Sequence, residues 1–322
     1  MKTFVRDSLF KAIAAAPSPL HLYGLAQDPR QLKKVVLAAQ DLGISHLLFA
    51  KLRPFKAVLE LESAYYSVQF RNHFFMAELQ SMLKGLSDRA IEAIILKGAQ
   101  FCTDLYLNPG MRNFNDIDLL IQKKDVESSK EVFTDAGYSV SASKLTRRED
   151  IHYIASKPGS GIKYIFEVHW SLLSEDVKFI STQEIWEKRR GSYLCPEHNL
   201  LYLLAHLNRH NYHCLKTLCD IDHFLDRYQE SLDWEYISRF CKPRLVYYGL
   251  RKARDMFGAS FPKKVLERTS PPLLDRLAFY VNRKMPYFGK IYNKSMLYSL
   301  TDFAGYLTYR SRININGNKE HH

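Results

Sequence analysis

Apolar residues recur along this chain in two rhythms, and the change from one to the other locates its centre. The first 88 residues keep helical spacing. Residues 4–15 read as a short amphipathic segment stopped by Pro17 and Pro19. Asp28-Pro29 supplies an N-cap and a first turn for a second helix running to Gly43. From about 55 to 86, Leu59, Tyr66, Phe70, Phe74 and Leu79 predict one long helix, with His73 as a packed core residue in its aromatic stretch. The rhythm then shortens. Over 91–121 the runs Ile94-Ile95-Leu96 and Leu119-Leu120-Ile121 flank a short amphipathic segment and a Pro109-Gly110 turn, which predicts strand, turn, helix, turn, strand. Residues 124–136 predict a helix capped by Gly137, and 151–156 and 162–170 two strands joined by Lys157-Pro158-Gly159-Ser160-Gly161. Beyond Trp170 the chain reads as helical, with Cys195-Pro196-Glu197 opening a helix that buries Leu200, Leu201, Leu203, Leu204 and Leu207. The fold class expected is α+β. A small mixed sheet at 89–180 is flanked by an N-terminal helical region (1–88) and a C-terminal helical domain (181–319).

The chemistry gathers on the strands. Side chains alternate along a strand, so Asp116 and Asp118 point to one face while Ile117 and Leu119 point to the other. Two neighbouring carboxylates repel each other, and an oxygen-only set favours a hard cation such as magnesium. The bland alternative is a solvated acid pair at a strand end. Lys97-Gly98 closes the preceding strand. A glycine there lets a phosphate approach the backbone, a helix start presents free N–H groups, and a lysine adds a cation. In 163–170 one face carries Tyr164, Phe166, Val168 and Trp170, and the other carries Ile165, Glu167 and His169. Glu167 is either a third carboxylate or a solvated strand residue. His169 either orients Glu167, contacts phosphate or bonds a backbone carbonyl. His206 and His210 share a helix face but lack the glutamate of a zinc protease, because Leu207 stands there. These two histidines and Asp220 read as helix-packing hydrogen bonders, with a place lining the cleft as the other reading.

Leu96-Lys97-Gly98, Leu105-Tyr106, Arg112 and Asp116-Ile117-Asp118-Leu119 together resemble the signature of the uncharacterised bacterial nucleotidyltransferases of the polymerase-beta superfamily. A related spacing occurs in the nucleotidyltransferase toxins of abortive-infection systems. The resemblance extends from about Leu96 to about Asp220 and is strongest over 97–120. The superfamily's usual Gly-Ser pair is replaced here by Lys97-Gly98. The resemblance implies transfer of a nucleoside monophosphate from a nucleoside triphosphate (NTP) to an acceptor, with release of pyrophosphate. It implies Asp116, Asp118 and Glu167 as catalytic ligands of one or two magnesium ions, Glu167 coming from a Glu-x-His-Trp strand. Lys97, Gly98, Arg112 and His169 are then expected on the nucleotide. The alternative is a non-catalytic nucleotide- or nucleic-acid-binding protein on the same fold.

Charge and composition refine this picture. From residue 239 onward there are 17 Lys and Arg against 5 Asp and Glu, and the 238 residues before them balance at 29 and 29. The whole excess of +12 therefore sits in the last quarter. Aromatics are interleaved there: Tyr247, Tyr248, Phe257, Tyr280, Tyr287, Phe288 and Tyr292. Such a mixture suits an anionic partner, either nucleic acid or a membrane surface, the bland alternative being a solvated basic face, and 239–312 is expected to meet RNA if RNA is the acceptor. With 46% hydrophobic residues a full core is expected. The five cysteines are spaced without a disulfide or metal pattern and read as reduced. No signal-peptide core and no membrane-length apolar run occurs, so a cytoplasmic protein is expected.

Overall fold

The computed structural model describes residues 3–141, 151–159, 161–172, 180–210, 212–240, 242–273 and 275–276. It is an α+β protein. The chain opens with α1 (Thr3–Ile13), α2 (Pro19–Gln27), α3 (Pro29–Asp41), α4 (Ser45–Leu52) and the long α5 (Glu62–Asp88). The sheet follows with β1 (Ala93–Leu96), α6 (Lys97–Asp104), β2 (Ile117–Ile121), α7 (Val126–Asp135), β3 (Ser139–Val140), β4 (His152–Pro158) and β5 (Lys163–His169). Then come α8 (Thr182–Lys188), α9 (Pro196–Arg209), α10 (Leu215–Tyr228), α11 (Trp234–Phe240), α12 (Pro243–Phe257) and α13 (Lys263–Thr269).

Local chemistry explains several boundaries. The Asp28 carboxylate accepts from the N–H groups of Arg30 and Gln31 at 3.1 and 3.0 Å, which starts α3 as expected. Pro19 opens a helix rather than stopping one. Its missing N–H and fixed φ suit the first helical position, so α2 stands where a break was expected. The long helix begins at Glu62, later than expected, because 3-10 turns at Arg53–Phe55 and Leu59–Leu61 intervene. Its buried row is Tyr65, Val68, Asn72, Phe75, Leu79, Met82 and Leu86. Of the residues expected to line that face only Leu79 is buried. Leu59, Tyr66, Phe70 and Phe74 are 62%, 42%, 65% and 38% exposed, and His73 is exposed too. Two apolar rows run along this helix, and packing selected the other one.

The strand order is β1-β2-β5-β4-β3. β1 is antiparallel to β2, β2 is parallel to β5, and β5-β4-β3 continue antiparallel. Alternation divides the sheet into two faces. Ile95, Ile117, Leu119, Ile121, Tyr153, Ala155, Phe166 and Val168 form one core with residues of α5 and α7. On the other face Ile94, Leu96 and Leu120 join a larger core built from α1–α4 and α9, α10, α12 and α13. Helices from both ends of the described residues thus share one interior.

The basic last quarter differs from expectation where it is described. Tyr247, Tyr248 and Lys252 are buried on the inner side of α12, because that helix packs against α9 and α10. Arg251 pairs with Asp255 at 3.3 Å, and Arg254 lies 5.6 Å from the Phe261 ring. Tyr280, Tyr287, Phe288 and Tyr292 lie outside the described residues. Cys102, Cys195, Cys214 and Cys219 are free thiols, and Cys241 lies outside the described residues. Among the described residues no helix is long and apolar enough to cross a membrane.

Candidate active site

Two neighbouring strands bring the acids together. β2 and β5 run parallel with Asp118 opposite Glu167, so both side chains rise side by side from the same face. His169, two residues along β5, lies on that face as well. Its Nε2 is 3.2 Å from Asp118 Oδ1 and 3.6 Å from Glu167 Oε2. Ligand atoms of these three residues all lie within 4.8 Å of one another. Asp116 precedes β2 by one residue and is half-buried. Burial raises its carboxyl above the ordinary value, and the negative charges of Asp118 and Glu167 raise it further.

Lys97 provides the balancing charge. Its Nζ is 2.7 Å from Asp118 Oδ1 and 5.4 Å from the centre of the Tyr202 ring on α9. Burial alone would lower this ammonium, but Tyr202 and the Asp118 carboxylate hold it above its ordinary value. Burial would likewise raise Asp118, yet Lys97 and His169 keep its carboxyl well below the usual range. The neighbouring His169 imidazole is the main cause holding Glu167 below its ordinary value. Lys97 also adopts φ +43°, a left-handed conformation uncommon for a side-chain-bearing residue, and costs about 1 kcal/mol or more in strain. The chain turns sharply from β1 into α6 there, and that turn aims the lysine at Asp118.

Gly98 is buried in the first turn of α6. A Cβ at this position would come within 2.6 Å of the Phe114 Cβ, so the glycine is required by packing against the segment that leads into Asp116. Arg112 is also set apart from the acids on the sheet. Its Nε and NH2 donate to the two carboxylate oxygens of Asp220 at 2.6 and 2.7 Å, and NH1 donates to the Asn113 carbonyl. Tyr106 donates to the same Asp220 at 2.9 Å. The backbone around Arg112 is held in turn by Asn72, whose Nδ2 donates to the carbonyls of Pro109 and Arg112 at 2.7 and 2.6 Å. Arg112 therefore clamps the loop that carries Asp116, and its donors are engaged with Asp220 and the backbone.

Residues not singled out from the sequence also belong here. Tyr202 covers Lys97. His152 on β4 stands opposite His169, with ring centres 4.9 Å apart. Arg209 ends α9 and Lys216 begins α10, and both are exposed. Helical spacing from His206 back to Tyr202 was the signal available for the first of these. A cavity of about 370 Å³ lined by Gln122, Lys123, Thr182, Gln183 and Trp186 lies beyond the far end of β2, roughly 13 Å along the strand from Asp118.

Two carboxylates, Asp118 and Glu167, with the His169 imidazole fit a hard divalent cation, since oxygens dominate the donor set, and Asp116 is not among the grouped ligand atoms. The chain belongs to the family described as uncharacterised nucleotidyltransferase, which matches residues 28–258 and so spans α3 to the end of α12. No curated protein and no solved structure matches it.

Proposed function

We propose that this member of the family transfers a nucleoside monophosphate from an NTP to a hydroxyl-bearing acceptor, as a magnesium-dependent enzyme of the polymerase-beta type. The observation that carries this reading is the in-register pair Asp118 and Glu167, with Asp116 close enough to feel both charges. Asp116, Asp118 and Glu167 would hold one or two magnesium ions, with His169 at their side. Bound there, the metal supplies charge neutralisation for the attacking and leaving oxygens of an in-line displacement.

The chain's own groups do the rest. The acceptor oxygen attacks the α-phosphorus, a new P–O bond forms, and the bond to the β-phosphate bridge breaks. Pyrophosphate leaves with the electron pair. Glu167, the more exposed of the two in-register carboxylates and held in its charged form, receives the acceptor's proton. Lys97 lies close to the acids and neutralises phosphate oxygens once a nucleotide is bound. The free N–H groups at the start of α6, Gly98 among them, offer donors to the same oxygens. Arg112 contributes by fixing the Asp116 loop through Asp220.

Glu167→Gln should bind triphosphate within about threefold of the parent yet lose turnover by a factor of about 10² or more, because a proton acceptor acts in the transition state. Asp116→Asn should lose magnesium-dependent triphosphate binding itself. The assay incubates the protein with each labelled NTP, magnesium and cell extract, and looks for the macromolecule or metabolite that gains label. Label transfer that persists in Glu167→Gln, or no magnesium-dependent binding of any triphosphate by the parent, overturns the reading.

A further inference from the structure

The acids hold only one end of a magnesium triphosphate. The other end carries the β- and γ-phosphates, whose charge needs partners beyond the carboxylates. Helix α9 crosses the site at Tyr202, whose ring covers Lys97. Positions four and seven residues further along the same helical face are His206 and Arg209. His210 follows, its ring 4.6 Å from that of His206. The chain then turns, and α10 begins with Leu215 and Lys216.

Among the described residues the two cations of this turn are unpaired by any carboxylate. Arg209 and Lys216 are exposed and form no ion pair among the described residues, whereas Arg112, Arg189 and Lys157 all do. His206 Nδ1 is buried without a hydrogen-bond partner among the described residues. Burial and the nearby Lys97 drop the His206 imidazole to about 3, so it is neutral at pH 7 and offers one N–H. The charges also reach the centre. Lys216 is, with Lys97, among the cations whose field is felt at Asp116, and the field of Arg209 is felt at His152, Tyr202 and His206.

We propose that Arg209 and Lys216, with His206 between them and Lys97, form the seat for the β- and γ-phosphates of the nucleotide and hence for the departing pyrophosphate. The proposal rests on the nucleotidyl-transfer reading of the acids and assigns the triphosphate's direction across them. The nucleoside end points away from the α9–α10 turn, and the γ-phosphate points toward it. The cations act on the leaving group, so they stabilise charge that develops as the α–β bridge breaks. An exposed arginine presents a planar fork to phosphate oxygens, and the lysine adds a point charge.

The test uses the full chain and three probes: the best-bound NTP, the corresponding monophosphate and inorganic pyrophosphate, each with magnesium. Arg209→Gln with Lys216→Gln should weaken the triphosphate and pyrophosphate by a common factor of ten to a hundred. Monophosphate affinity and nucleotide-free magnesium affinity should stay at the parent values. Both side chains are exposed, so the fold should be preserved, and the single variants provide intermediate steps if the double variant is not recovered. Parental triphosphate and pyrophosphate affinity in the variants overturns this inference and leaves the function standing. An equal loss for monophosphate also overturns it, because the cations would then serve the nucleoside end. Retained triphosphate affinity with lost binding of an RNA oligonucleotide assigns the pair to the acceptor instead. A parent protein that binds no triphosphate overturns the nucleotidyl-transfer reading and this inference together.

Discussion

Two buried ion pairs lie on either side of the Asp116 loop, and they are built differently. Arg112 and Asp220 meet through two parallel hydrogen bonds, and the aspartate takes a third from Tyr106. Every strong partner is in place and the pair is closed. Lys97 and Asp118 meet through one oxygen, which His169 also approaches, and Asp118 belongs to a group that can hold a metal. That pair is open to exchange. A closed pair fixes geometry, whereas an open one keeps a buried carboxylate charged until a ligand arrives. On the proposed function, the difference separates the residues that hold the site in shape from those that would operate it.

Breaking the closed pair should have the largest effect. Asp220→Ala leaves the Arg112 guanidinium buried without an anion and should cost about 3–5 kcal/mol in urea unfolding. A cost below about 1 kcal/mol would show that the fork does not hold the loop. Asp222, two residues along α10, is the natural contrast. It accepts the Ala15 N–H at 2.7 Å but has no guanidinium, and burial pushes its carboxyl up to about 6. Such an acid binds its proton more readily folded than unfolded. Stability should therefore fall as pH rises from about 4 to about 6 and stay level above that. Asp222→Asn should remove that fall, roughly 2–3 kcal/mol, as read from unfolding curves at pH 4 and pH 8. An unchanged pH profile in the variant would refute the contrast.

The open pair should respond with the opposite sign to the usual loss of function. Lys97 repels any cation placed beside Asp118, by several kcal/mol at an effective dielectric near ~20 before screening. Lys97→Met should therefore bind magnesium about tenfold more tightly in calorimetry without nucleotide, while its triphosphate affinity drops. Without metal the variant should melt at lower temperature, since Asp118 is left unpaired, and magnesium should restore it. Weaker magnesium binding in Lys97→Met would make Lys97 an architectural partner like Arg112.

Much of this was legible in the sequence, for identifiable reasons. Strands β1 and β2 are short apolar runs bounded by turns, and period-two alternation put Asp118, Glu167 and His169 on the faces where they stand. What alternation does not carry is register between distant strands. β5 pairs with β2 across an insertion of two strands and a helix, so the contact between Asp118 and Glu167 is a tertiary fact. The same limit explains Arg112. Its partner Asp220 is 108 residues away, and nothing near Arg112 marks it as a clamp. On α5 both Tyr65-Val68-Asn72-Phe75 and Tyr66-Phe70-Phe74 keep helical spacing, and only neighbouring elements decide between them. Asn72, a polar residue in the buried row, was the sign that this row meets backbone carbonyls.

The shared interior of α1 and α12 has a consequence for how the protein is made. Val5, Leu9 and Phe10 on α1 belong to the same core as Val246, Leu250 and Ala253 on α12. At about 5–20 residues per second, a ribosome needs on the order of ten to fifty seconds to synthesise the intervening chain. Through that interval the apolar side of α1 waits for its partners. The sheet's other face, with α5 and α7, is complete much earlier. The α5–α7 side of the sheet can therefore consolidate while the apolar side of α1 still waits for α12.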